Sequence, residues 1–214
     1  MKKTLAARVA AIVLGLAAMT VLVWWIASSG EPSDSQINSS NAQERIAAIA
    51  GLGKAGSASA SEKLARLASH SDSMTVRYAV RALGENDSEG NQKALTGILT
   101  DKKMSAAARS EAASMLGKFK EADAALLTRT LGTDESPEVR AGAAKGLARL
   151  EMPSTIPQLS AALEDPCPEV RLWAVTAIHR MIGRRFPYDA DKPPDTQQDV
   201  IKRIRDYLKQ CKVL

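Results

Sequence analysis

Two stretches decide how this chain is read: Ser136-Pro-Glu-Val-Arg-Ala-Gly-Ala-Ala-Lys-Gly-Leu147 and Cys167-Pro-Glu-Val-Arg-Leu-Trp-Ala-Val175. They lie 31 residues apart and share the string Pro-Glu-Val-Arg. Each opens on a proline, whose missing N–H has no intrahelical partner in a first turn, followed by a glutamate at the positive end of the helix dipole. Val139, Ala143 and Leu147 then fall on one helical face, as do Val170, Ala174, Ala177, Ile178 and Met181 at i, i+4, i+7, i+8 and i+11. The spacing predicts two amphipathic helices of the same design.

The same register extends outward. Arg45, Arg77, Arg109, Arg140 and Arg171 are separated by 32, 32, 31 and 31 residues. Leu52, Leu83, Leu116, Leu147 and Ile178 follow at 31, 33, 31 and 31, and Leu67, Leu99, Leu131 and Leu163 at 32 each time. A period of this length is the mark of a repeat array. Shorter second helices fill the intervals, for example Ser154 to Leu163, with Ile156, Leu159, Ala162 and Leu163 as their apolar stripe. One such pair has too little apolar surface to fold alone and must stack on its neighbours. Ala and Gly in the first helices (Gly142, Ala143, Ala144, Gly146) permit close approach. Composition agrees: 45% hydrophobic but only 4% aromatic residues suits packed small helices better than a β-sandwich.

The two opening strings resemble HEAT repeats, in the short form also seen in bilin-lyase-type proteins. Val76-Arg-Tyr-Ala-Val-Arg-Ala-Leu-Gly84 is similar, with one residue fewer between Arg77 and Leu83 than its counterparts have. The resemblance covers residues 41–182 and implies an all-α fold, a solenoid of about five helix pairs. It implies no particular activity, because HEAT-like arrays serve mostly as scaffolds and binding surfaces. In such families the repeated arginine commonly ties adjacent repeats together. Arg45, Arg77, Arg109, Arg140 and Arg171 therefore read as structural rungs rather than a ligand ladder. Asp134 and Asp165, each six residues ahead of an arginine, are natural partners.

Lys2, Lys3 and Arg8 make residues 1–8 a basic leader, followed by an uncharged apolar run of 19 residues, Val9–Ala27. As a helix that run spans about 28 Å, near the hydrocarbon thickness of a bilayer. Trp24 and Trp25 lie towards its far end, where amphipathic rings favour the interface, and Glu31 and Asp34 follow. The positive-inside rule places residues 1–8 in the cytoplasm and the remainder in the periplasm, as a single-pass signal anchor. A cleaved signal peptide ending near Ala27 or Ser29 is the competing reading, though its apolar region is normally ~7–15 residues. Residues 28–40, rich in Ser and Asn, read as a flexible tether.

Residues 183–214 break the pattern with a loop and one further helix. That helix is expected to complete the fifth repeat and cap the array, with Asp195 as N-cap and Gln198 closing a capping box. Trp173 is expected to pack beneath it. Cys167 and Cys211 are placed at neighbouring helix ends, so a disulfide between them and two ordinary thiols both remain open. Asp189, Asp191 and Asp195 lack the Gly and terminal Glu of an EF-hand loop and read as a solvated loop.

No zinc spacing, P-loop, dinucleotide fingerprint or nucleophile elbow occurs in the sequence. His70 and His179 are far apart, and neither belongs to a His-Glu pair, so no catalytic, cofactor-binding or metal site is assigned. The net charge of +5 is unevenly placed: residues 31–178 carry 17 basic and 19 acidic side chains, residues 179–214 nine and five. A nucleic-acid partner is therefore not expected. The leading reading is a non-enzymatic scaffold that binds an unidentified protein partner and meets the membrane through its N-terminal helix. Lys63, Arg66, Gln92, Thr96 and Arg129 on the second helices are candidates for the binding face. A bilin-lyase-like or other enzyme-accessory protein is the alternative.

Overall fold

The structure, a computed structural model, describes residues 31–120 and 122–214. The apolar run Val9–Ala27 lies outside them. Among the described residues no helix is long and apolar enough to cross a membrane, and there is no strand.

A short helix α1 (Asp34–Ile37) is followed by five helix pairs among the described residues. The first helices are α2 (Ala42–Ala55), α4 (Ser73–Leu83), α6 (Ala106–Leu116), α8 (Pro137–Leu150) and α10 (Pro168–Ile182). The second helices are α3 (Ala58–Leu67), α5 (Glu89–Thr100), α7 (Ala124–Thr133), α9 (Ile156–Ala161) and α11 (Gln198–Gln210). First helices pack on first helices, second helices form the other layer, and a continuous apolar core runs between them from Ile37 to Leu208. The stack is an α-solenoid.

Local chemistry fixes the helix starts. Asn41, Ser57, Asp72, Ser88, Ser105 and Asp123 each accept a hydrogen bond from a free N–H of the first turn. The two helices opened by proline lack such a cap. Instead, Asp134 Oδ1 accepts from Ser136 N at 3.0 Å and Asp165 Oδ1 from Cys167 N at 2.8 Å.

Small residues set the spacing between first helices. A Cβ on Gly142 would lie 2.3 Å from the carbonyl oxygen of Ser110, and one on Gly146 2.4 Å from that of Ala113. The positions one and four residues after the ladder arginine (Ser110, Ala113) thus face the following repeat. Those two and six residues after it (Gly142, Gly146) face the preceding one.

Several sequence expectations change. Part of the stretch read as a tether is folded: α1 has a full capping box on Ser33, and Ile37, its lone large apolar side chain, is buried. The helix expected over Ser154–Leu163 is a 3-10 turn (Pro153–Thr155), then α9, then a second 3-10 turn (Ala162–Glu164); Pro157 cannot donate the N–H that would join the first two. The helix α11 starts at Gln198, after a 3-10 turn, without a side-chain cap. Gln198 donates instead to Glu164 Oε1 and the Pro194 carbonyl. Trp173 faces back towards α8, with Lys145 Nζ 5.1 Å from its ring centre. The capping contacts are made by others: Phe186 meets Tyr207 edge-on at 5.7 Å, and Ile201, Ile204 and Leu208 are fully buried.

Candidate functional site

The repeated arginines occupy the fourth position of their helices, where the side chain reaches the loop opening the next repeat. Arg45 Nε donates to Thr75 Oγ1 at 2.8 Å and its Nη2 to Asp72 Oδ2 at 3.1 Å. Arg109 Nη1 donates to Asp134 Oδ2 at 2.6 Å. Arg140 grips Asp165 with two bonds, 2.8 and 3.0 Å, and takes the Asp134 carbonyl at 3.0 Å with its other nitrogen. Arg171 has no following repeat and binds the carbonyls of Ala190 and Lys192 in the capping loop, together with that of Asp165. The sequence placed the carboxylates of Asp134 and Asp165 on the arginines six residues ahead. In the structure those arginines take only the carbonyls, and each carboxylate pairs with the arginine of the preceding repeat.

Arg77 does not join the ladder. Its helix begins at Ser73, so Arg77 sits at the fifth position and Val76 at the fourth. The extra residue turns the side chain about 100° away; Arg77 is exposed and has no ion pair among the described residues. The missing residue between Arg77 and Leu83 was the signal.

Electrostatics follow the pairing. Burial opposes ionisation of Asp134, but bonds from Lys102 and Arg109 outweigh it and hold its pKa below the ordinary value. The Thr75 hydroxyl and N–H, with Arg45, hold Asp72 down more strongly.

The second-helix candidates are only partly brought together. Lys63 and Arg66 line a hollow of about 350 Å³ with Ile37 and His70, but Lys63 is held by Glu31 at 3.7 Å and Asp34 at 3.8 Å. Gln92 and Thr96 lie one turn apart on α5, both half-buried, and Arg129 is exposed on α7. Another hollow, about 400 Å³, opens over the Arg140–Asp165 pair, whose polar atoms are already bonded to each other.

A third groove, about 650 Å³, was not found from sequence. It runs along the outer face of α10, with Leu172 and Val175 as floor, Phe186 and Tyr188 as wall, and Arg180 and Arg185 at the rim. His179 Nε2 accepts the Phe186 N–H at 3.1 Å, which fixes the neutral imidazole; burial, then Arg185, holds its pKa below the ordinary value. Tyr188 Oη donates to the Leu163 carbonyl at 2.5 Å, and Gln197 clamps Asp189 through both its backbone N–H and carbonyl.

Cys167 is half-buried, Cys211 is exposed, and both are free thiols. The disulfide that the sequence left open is not formed in the structure. Among the described residues there is no cluster of three or more side chains suited to a metal ion.

No curated protein matches the sequence. In the solved structures, the Escherichia coli protein YibA aligns with a TM-score of 0.56 and 19% identity. The alignment covers 78% of this chain but only 64% of YibA, so the chain spans less than two thirds of that protein. Two engineered proteins align at 20% identity (TM-score 0.45, 74% of this chain and 78% of theirs) and 18% (0.44, 86% and 51%). These likenesses concern the fold. The sequence profile of HEAT repeats matches residues 35–116, 98–179 and 124–208, so most of the chain, C-terminal helix included, is accounted for. The chain belongs to the HEAT-repeat family.

Proposed function

We propose that this protein is a non-enzymatic scaffold, anchored by Val9–Ala27 and holding its HEAT solenoid on the extracytoplasmic side, where it binds a protein partner. One observation carries the reading. The ladder arginines are committed to internal contacts, Arg109 and Arg140 to carboxylates of the next repeat and Arg171 to carbonyls of the capping loop. Binding capacity is thereby left to the outer sides of the helices, including Arg66 and Arg129 on the second helices. Support for the location is the basic leader, the length of the apolar run and the acidic residues beyond it.

Two measurements test it. Protease added to intact spheroplasts should digest the solenoid; protection until lysis would overturn the topology. A photocrosslinking residue at position 129 should capture a discrete partner in cells, while one at position 54, on a first helix, should not. Equal yields, or none at either position, would remove the second-helix face as the binding surface.

A further inference from the structure

On α8 the face that looks towards the next repeat is defined by positions one, four and eight after the ladder arginine. These are Ala141, Ala144 and Ala148, which α10 covers to 3, 0 and 1% exposure. On α10 the same positions are Leu172, Val175 and His179. Among the described residues no further first helix stacks on this end, and Leu172 is 49% exposed, while Val175 is already down to 5% and His179 is half-buried. A terminal face should turn polar, as solenoid caps do. This one instead carries the exposed Leu172 in place of alanine, with Phe186 and Tyr188 of the capping loop beside it. The result is the groove of about 650 Å³, room for several side chains from one helix face.

Charge selects the occupant. Arg180 and Arg185 lie on the groove rim and no carboxylate lines it. Arg180 is shared with Glu151 behind it, while Arg185 is exposed and without an ion pair among the described residues. The chain's own opposite end offers little apolar surface: the outward face of α2 presents Ala47, Ala50 and Gly51, flanked by one acid and one base, Glu44 and Lys54.

We propose that the outer face of α10 is a docking site for an acidic amphipathic helix of a partner protein, which takes the place of the next repeat's first helix. The apolar stripe of that helix would cover Leu172 and the half-buried rings of Phe186 and Tyr188, and its flanking carboxylates would meet Arg185 and Arg180. This rests on the reading of the chain as a binding module but uses a surface separate from the second helices.

The test uses the full chain in phosphatidylcholine nanodiscs and a synthetic helical peptide with leucines at i, i+3, i+4 and i+7, glutamates on both flanks and a benzophenone, adducts being mapped by mass spectrometry. Adducts should form at the α10 groove and fall at least tenfold with Leu172→Asp and with Arg185→Glu, both at exposed positions. Arg129→Glu should leave them unchanged. A peptide with lysines in place of glutamates should give none, and should gain them on Arg185→Glu. Equal labelling by both peptides, no labelling of the groove, or indifference to Leu172→Asp would overturn the proposal. So would sedimentation showing that the chain alone forms dimers that Leu172→Asp dissolves, since the face would then belong to a second copy. Loss of labelling on Arg129→Glu alone would place the binding on the second helices, leaving the scaffold reading intact and this one refuted.

Discussion

Arg109 and Asp134, 25 residues apart in sequence, meet at 2.6 Å with both residues buried, and Arg109 Nε has no partner there. Removing the carboxylate strands a buried guanidinium, and breaking a buried pair costs about 3–5 kcal/mol. Asp134→Ala should therefore lower the stability in urea unfolding by ~3 kcal/mol or more. Arg77→Ala, on an exposed side chain with no ion pair among the described residues, should stay within about 0.5 kcal/mol.

The orphaned Nε has a sequence explanation. In the first repeat the same atom of Arg45 is satisfied by Thr75, at the third position of the next helix. The corresponding residue facing Arg109 is Val139. Val139→Thr should supply the acceptor and be nearly neutral, whereas Val170→Thr, opposite the fully bonded Arg140, should cost about 1–2 kcal/mol. Parallel thermal unfolding of the two variants checks this.

Glycine substitutions should split by what they meet. At Gly142 a methyl group runs into the Ser110 backbone at 2.3 Å, so Gly142→Ala should destabilise by about 1–3 kcal/mol. At Gly97 nothing lies within 4 Å, and alanine in that helix should stabilise by about 0.5–1 kcal/mol. Circular dichroism melts of both variants distinguish them.

Stability should fall on acidification in two windows. His179 has a folded pKa below 6.5, set by burial and then by Arg185. The unfolded chain therefore binds more protons, and stability declines as pH drops from about 6.5 towards the folded value. Asp134, and Glu164 held low by Arg205 and Gln198, also have depressed folded values. Their contribution is present above the unfolded carboxylate range of about 4 and is lost as pH falls through the folded values. Urea midpoints across pH should show both declines, with His179→Ala flattening the upper one and Asp134→Ala the lower.

Both thiols should alkylate without reductant, Cys211 faster than the half-buried Cys167. Mass spectrometry of the non-reduced protein reads this directly: two adducts are expected, and a mass two hydrogens short with no adduct would show the cysteines bonded.

The periodicity of leucines and arginines determined the helix pairs and their stacking, because burying one face of each helix requires apolar residues at helical spacing whatever the neighbours are. The odd repeat left a mark, the residue missing between Arg77 and Leu83, yet Arg77 was read as a rung with the others and only the structure takes it out of the ladder. Pairing across repeats was not legible. Asp134 lies six residues from Arg140 and 25 from Arg109, and sequence proximity favoured the wrong partner. Only the stack brings the loop of one repeat against the preceding arginine and turns the nearer arginine onto a carbonyl. The α10 groove belongs to the same class. Leu172 has the register of a residue that stacking buries, and whether anything covers it depends on how the chain folds back beyond Gly183. The repeat pattern does not extend to that loop, so its course was left for the tertiary structure to decide.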